Sequence, residues 1–118
     1  MAGLESKSFD APDEARKFDK GRLDIITFGS ATVGRATFEP GWRWSESLKP
    51  LMGTDSCEAP HLGYVVSGHI HVEMDDGTSG DAGPGDLFHV APGHDAWIVG
   101  DEPCVIVDYE GAAHYAEH

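Results

Sequence analysis

The sequence predicts a single all-β domain, a sandwich or small barrel. Three observations carry this. Short apolar runs recur at intervals of about ten residues. Fifteen glycines and seven prolines sit between them, as tight turns between short strands require. No stretch sustains a helical period. A chain of 118 residues is one domain by length and buries a real but modest core.

Residues 1–19 are polar with scattered aromatics, and Ala11-Pro12-Asp13-Glu14 starts at most one helical turn. This segment is read as an arm lying across the barrel or a partner subunit. Leu23–Phe28 is the first predicted strand and Ala31–Phe38 the second, with Gly29-Ser30 as the turn. Along the second, Val33, Arg35 and Thr37 alternate with Thr32, Gly34, Ala36 and Phe38, a half-buried pattern. Glu39-Pro40-Gly41 ends that strand, and Trp42-Arg43-Trp44 is predicted to start the next. A long loop follows from Ser47 to Pro60, punctuated by Pro50, Gly53 and Pro60. Further strands are predicted at Leu62–Val66, His69–Met74, Asp86–Val90, Asp95–Val99 and Val105–Tyr109. Asp75-Asp76-Gly77 and Gly83-Pro84-Gly85 are turn sequences. The tail from Gly111 onward is expected to fray.

Charge is distributed unevenly. All eight Lys and Arg residues lie in the first 49 positions, where eight acids balance them. The remaining 13 acids lie beyond, so that part carries the whole net charge of −13. Such a field repels phosphate backbones and anionic lipid, which argues against nucleic-acid and membrane partners. No run is apolar enough to span a bilayer. Glu5, Lys7 and Asp10 stand where an export signal needs an apolar core, so a cytoplasmic location is expected. Two cysteines do not make a disulfide framework; in a reducing compartment both are thiols. Cys104 opens the apolar run Val105-Ile106-Val107 and reads as a core residue.

Two segments carry a family resemblance. Pro60-His61-Leu62-Gly63-Tyr64-Val65-Val66-Ser67-Gly68 reads as a strand entering a Ser-Gly turn. Gly83-Pro84-Gly85-Asp86-Leu87-Phe88-His89-Val90-Ala91-Pro92-Gly93-His94 reads as turn, short strand and turn. Together with Pro40-Gly41 they resemble the two motifs of cupins. The resemblance covers residues 36–110, with 1–35 supplying the arm and first strands and 111–118 a tail. It implies a cupin-type double-stranded β-helix, a jelly-roll-like small barrel with its site between the two motifs.

The usual cupin ligands, however, are altered. Aligned on Tyr64–Gly68, His61 takes the place of the family's Glu, and Asp55 and Cys57 take those of its first two histidines. Aligned on Gly93, Ala96 falls where the last histidine belongs, and His94 lies two residues earlier on the same strand parity. The resemblance therefore implies a metal site of Asp55, Cys57, His61 and His94. An extended Asp55-x-Cys57 would put both side chains on one face, and thiolate with imidazole favours zinc, copper or soft-liganded iron; zinc or iron is the expected cofactor. A competing pattern, His69-x-His71 with Glu73, shares one strand face but fits the solvated side of a hairpin. His89 reads as an ordinary strand histidine.

Aromatic residues form the other constellation. Trp44, Tyr64 and Trp97, with His61, are candidate ligand-binding residues, since small-molecule pockets are mostly apolar with a few placed polar groups. Either Trp42 and Trp44 both face inward or Arg43 does. The chain is similar to small stand-alone cupins of unknown activity that share Gly-Thr-Asp-Ser-Cys (53–57) and Pro-Gly-His-Asp-Ala-Trp (92–97) segments. The expectation is a homodimeric cupin that binds a small organic ligand, with a divalent metal beside it, as a sensor or accessory protein. The alternatives are a metal-dependent cupin enzyme of dioxygenase, isomerase, decarboxylase or lyase type, and a metal-free acid–base enzyme using His61 with Asp55 or Cys57.

Overall fold

The structure is a computed structural model that describes residues 3–110; the expected tail from Gly111 lies outside them. Among the described residues nine strands form two antiparallel sheets. They are β1 (Glu14–Phe18), β2 (Gly21–Phe28), β3 (Ala31–Phe38), β4 (His61–Ser67), β5 (His69–Met74), β6 (Ser79–Ala82), β7 (Leu87–Val90), β8 (His94–Val99) and β9 (Cys104–Asp108). The larger sheet has the order β1-β2-β3-β9-β4-β7 and the smaller β6-β5-β8. The two inner faces enclose the core, as in a jelly roll.

Register explains the core. Leu23 on β2 lies opposite Ala36 on β3, Ala36 opposite Ile106 on β9, and Ile106 opposite Val65 on β4. All four are buried, so one cross-strand row lines the larger sheet's inner face. The smaller sheet answers with Ile70 between Ala82 and Ile98, and with Ala96 beside Val72. On β4 the parity puts Gly63 and Val65 inside and Tyr64 and Val66 outside.

Three expectations about elements are corrected. Trp42-Arg43-Trp44 does not start a strand: after one bridge from Arg43 to Trp97 the chain enters α1 (Trp44–Ser47). Arg43 at the N-cap gives no side-chain cap; the backbone N–H of Ser45 donates instead to Asp95 Oδ1 on β8, 3.1 Å away. That cap comes from 50 residues along the chain, beyond the reach of local sequence. The loop from Ser47 contains a second turn, α2 (Lys49–Met52), where Pro50 occupies the tolerated first turn and Gly53, at φ +74°, ends it.

The third correction concerns β1, a polar strand lodged within the expected arm. Its Glu14 to Phe18 pairs residue for residue with Ile25 to Gly21, and only Arg16 and Phe18 are half-buried, so alternation gave no signal. The residues before it lie on the outer face of β2 and β3, where Arg35 donates to the Phe9 carbonyl and to the buried Asp24 carboxylate. β6, four residues with only Ala82 buried, likewise carries no alternation signal. Among the described residues no helix is long and apolar enough to cross a membrane.

Candidate functional site

The site forms where the loop after α2 meets three strands. Cys57 N donates to the His94 carbonyl at 2.7 Å, and the Cys57 carbonyl accepts from Gly93 N at 2.8 Å and His94 N at 3.2 Å. This isolated bridge sets the Cys57 thiol beside the His94 ring, since directly opposed residues share a face. His61, the first residue of β4, brings the third group. Donor atoms of Cys57, His61 and His94 all lie within 4.8 Å of one another.

Asp108 completes the arrangement. It stands between Gly34 on β3 and Gly63 on β4, neither of which carries a side chain. It reaches diagonally to His61, whose Nδ1 is 2.6 Å from Asp108 Oδ2. The other oxygen accepts the backbone N–H of Glu110. A carboxylate only accepts, so His61 Nδ1 carries the proton and Nε2 faces Cys57 Sγ at 3.7 Å. His94 repeats the pattern: its Nδ1 donates to the Ala91 carbonyl at 2.8 Å. Both rings are thus oriented by their far nitrogens, as metal-binding histidines are.

These contacts shift the protons. Burial would raise the Cys57 thiol, but the contacts with His61 and then His94 outweigh it and bring it down to about 6. Burial would lower His61, but Asp108 and then Cys57 hold it up at about 9. Cys104, with no such neighbours, is pushed by burial to about 11. The two cysteines of the chain are therefore chemically distinct.

The cluster opens into an apolar cavity of about 50 Å³. Trp42 and Trp44 both line it and are buried. Arg43 points away and lies over the outer face of Trp97, 4.3 Å from the ring centroid, with Asp95 Oδ2 3.2 Å from its Nε. Ile70 and Val72 of β5, Phe88 and Val90 of β7, and Ala96 of β8 form much of the remaining wall. The position vacant at Ala96 is answered by His94 on the same inward face.

Several expected site residues lie elsewhere. Asp55 is fully exposed and pairs with Lys49 Nζ at 3.7 Å, because residues 54–56 bend rather than extend, so the same-face argument fails. Tyr64 faces solvent from the outer side of β4. Trp97 alternates with the inward Ala96 and Ile98 and stacks outside on His71, ring centroids 4.5 Å apart. His71 bonds the exposed Asp81, and His69, Glu73 and His89 are exposed. Asp108 is not among the residues expected at the site, although its parity with the buried Cys104 and Ile106 marks it as an inward carboxylate.

No family model and no curated protein matches the sequence. Solved structures do. The polyketide cyclase RemF from Streptomyces resistomycificus superposes with a TM-score of 0.64 at 14% identity, over 89% of this chain and 77% of its own. A sugar phosphate isomerase of the cupin superfamily from Silicibacter pomeroyi gives 0.63 at 18%, over 88% and 73%. The chain folds as a small cupin. The oxalate decarboxylase of Lactobacillus farciminis, in a formate complex, gives 0.60 at 18%; this chain is 93% covered but spans only 35% of that one. At these identities the likeness concerns the cupin fold. The groups that converge on the cavity, Cys57, His61, His94 and Asp108, are this chain's own.

Proposed function

We propose that this cupin binds a small, largely apolar molecule in its barrel beside a divalent metal held by Cys57, His61 and His94. One observation carries the reading. Three donors converge on the cavity, and both histidines have their Nδ1 atoms engaged by Asp108 and Ala91, leaving Nε2 for ligation. One thiolate and two imidazoles suit zinc best, with iron next. With three protein donors, the metal would keep a position open to water or ligand and supply Lewis acidity there. The chain's own part is to keep Cys57 ionised, orient His61 through Asp108 and surround the site with hydrocarbon. Binding and catalysis share this first step, so the sensor and enzyme readings diverge only in what happens to the bound molecule.

Elemental analysis of tag-free protein after loading with zinc, iron, manganese, nickel and copper tests the reading. About one zinc per chain is expected, lost in His61→Ala and in Cys57→Ser. Metal-free protein throughout would overturn it.

A second reading uses the same groups without metal. Cys57, His61 and Asp108 stand in the order nucleophile, base and orienting carboxylate, 3.7 Å and 2.6 Å apart. Rapid alkylation of Cys57 in metal-free protein, with chelators leaving turnover untouched, would favour it.

A further inference from the structure

Along one side, the cavity at Cys57 is closed by side chains rather than by backbone. β6 and β7 are consecutive in the chain but stand at the edges of different sheets, so among the described residues no strand ladder joins them. A cleft of about 290 Å³ runs between them, past the exposed Gly80 and Asp81 of β6 and His89 of β7. Val72, Phe88 and Val90 line both this cleft and the cavity. Register sets two of them against the site: Val90 lies opposite His61, and Phe88 opposite Gly63.

Two glycines mark the path. Gly80 lies opposite Val72, and a Cβ there would meet nothing within 4 Å. Gly63 has no left-handed backbone that requires glycine. A Cβ at 63 would instead lie 2.7 Å from Phe88 Cζ and 3.0 Å from Ile106 Cγ2. The Phe88 ring therefore rests in the space that a side chain at 63 would fill. Val72 and Val90 are β-branched and stiff. Phe88, half-buried on an edge strand, has the cleft beside it to turn into.

We infer that Phe88 is the gate and size-selecting residue of the cavity: its ring, resting on Gly63, closes the wall toward the cleft, and molecules enter between β6 and β7 when it swings outward. This rests on the reading that the barrel takes up a small molecule, but not on the metal. With the ring in place the cavity is about 50 Å³, well below the roughly 150 Å³ that admits benzene. With the ring turned out, cavity and cleft become one space. A side chain that must move before entry slows large molecules more than small ones.

Cys57 lines the cavity and so reports arrival there. Metal-free protein is treated with methyl or benzyl methanethiosulfonate, and each cysteine is followed separately by peptide mass spectrometry. The thiolate attacks the sulfenyl sulfur and displaces methanesulfinate, so both reagents leave a mixed disulfide. Dividing the benzyl rate by the methyl rate cancels any change in thiolate reactivity. In Phe88→Ala this ratio is expected to rise about 10-fold, the removal of roughly 1.4 kcal/mol of barrier; Phe88→Leu is the milder truncation should the first not fold. Gly63→Ala, which takes the ring's resting place but leaves Phe88 whole, should raise the ratio too. Gly80→Leu, which fills the cleft opposite Val72, should slow both reagents. The buried Cys104 marks general loosening and should react no faster than in the parent. A ratio unmoved by Phe88 truncation and by Gly63→Ala, rates unmoved by Gly80→Leu, or a rise matched at Cys104 overturns the inference. Zinc uptake with a ratio indifferent to Phe88 sinks the gate alone; a Phe88-dependent ratio without zinc uptake sinks only the metal reading.

Discussion

His61 and Asp108 are 47 residues apart in the chain, yet His61 Nδ1 and Asp108 Oδ2 stand 2.6 Å apart inside the barrel. The contact settles which nitrogen of His61 faces Cys57. It also places a negative charge where burial would otherwise drive the imidazole neutral. Asp108→Asn keeps the shape and removes the charge. Its zinc affinity, measured by competition with a chromogenic chelator, is expected to fall about 10–100-fold, as for other groups that orient a ligating histidine.

The Cys57–His61 pair gives metal-free protein a defined pH response. Cys57 at about 6 lies below its ordinary 9.0, so its contribution is present above 9.0 and lost as pH falls through 6. His61 at about 9 lies above its ordinary 6.5, so its contribution is full below 6.5 and lost as pH rises through 9. Each shift owes part of its size to the other group. The stabilisation they share therefore exists where thiolate and imidazolium coexist, between about 6 and 9. The ultraviolet thiolate band should titrate near 6 and vanish in Cys57→Ser, and the urea midpoint should peak within that window.

Asp95 links the outer face of β8 to α1, capping it through Ser45 N and holding Arg43 over Trp97. Asp95→Ala is expected to cost about 1–2 kcal/mol in urea unfolding, a lost helix cap plus a weak surface pair.

Gly68, between β4 and β5, has φ +78°, and a Cβ there would overlap the backbone of Pro103 and Cys104. Gly68→Ala should cost about 2–3 kcal/mol in the same assay.

Leu87 lies opposite Tyr64 on the outer face of the larger sheet, with Val66 next along β4, and all three are exposed. This uncharged strip on a strongly acidic chain is the expected contact for a homodimer. Light scattering should find a dimer that Leu87→Lys converts to monomer; a monomeric parent would contradict it.

Strand positions were largely legible in the sequence. The predicted Ala31–Phe38 and His69–Met74 match β3 and β5; β4 and β9 differ by one residue at each end, and β8 by one residue at its start. Alternation and turn residues are local properties, and the sequence states them directly. His94 on the same parity as Ala96 was likewise readable. What tertiary structure decided were the relationships between distant segments. Asp55 left the site because Gly53 and the bend after it turn the loop outward. Asp108 entered because strand register sets it beside His61. Trp44 became helical because Asp95 supplies a cap from another strand. Side-chain pattern along one strand follows from its own residues; which strands meet, and in what register, follows only from how the whole barrel closes.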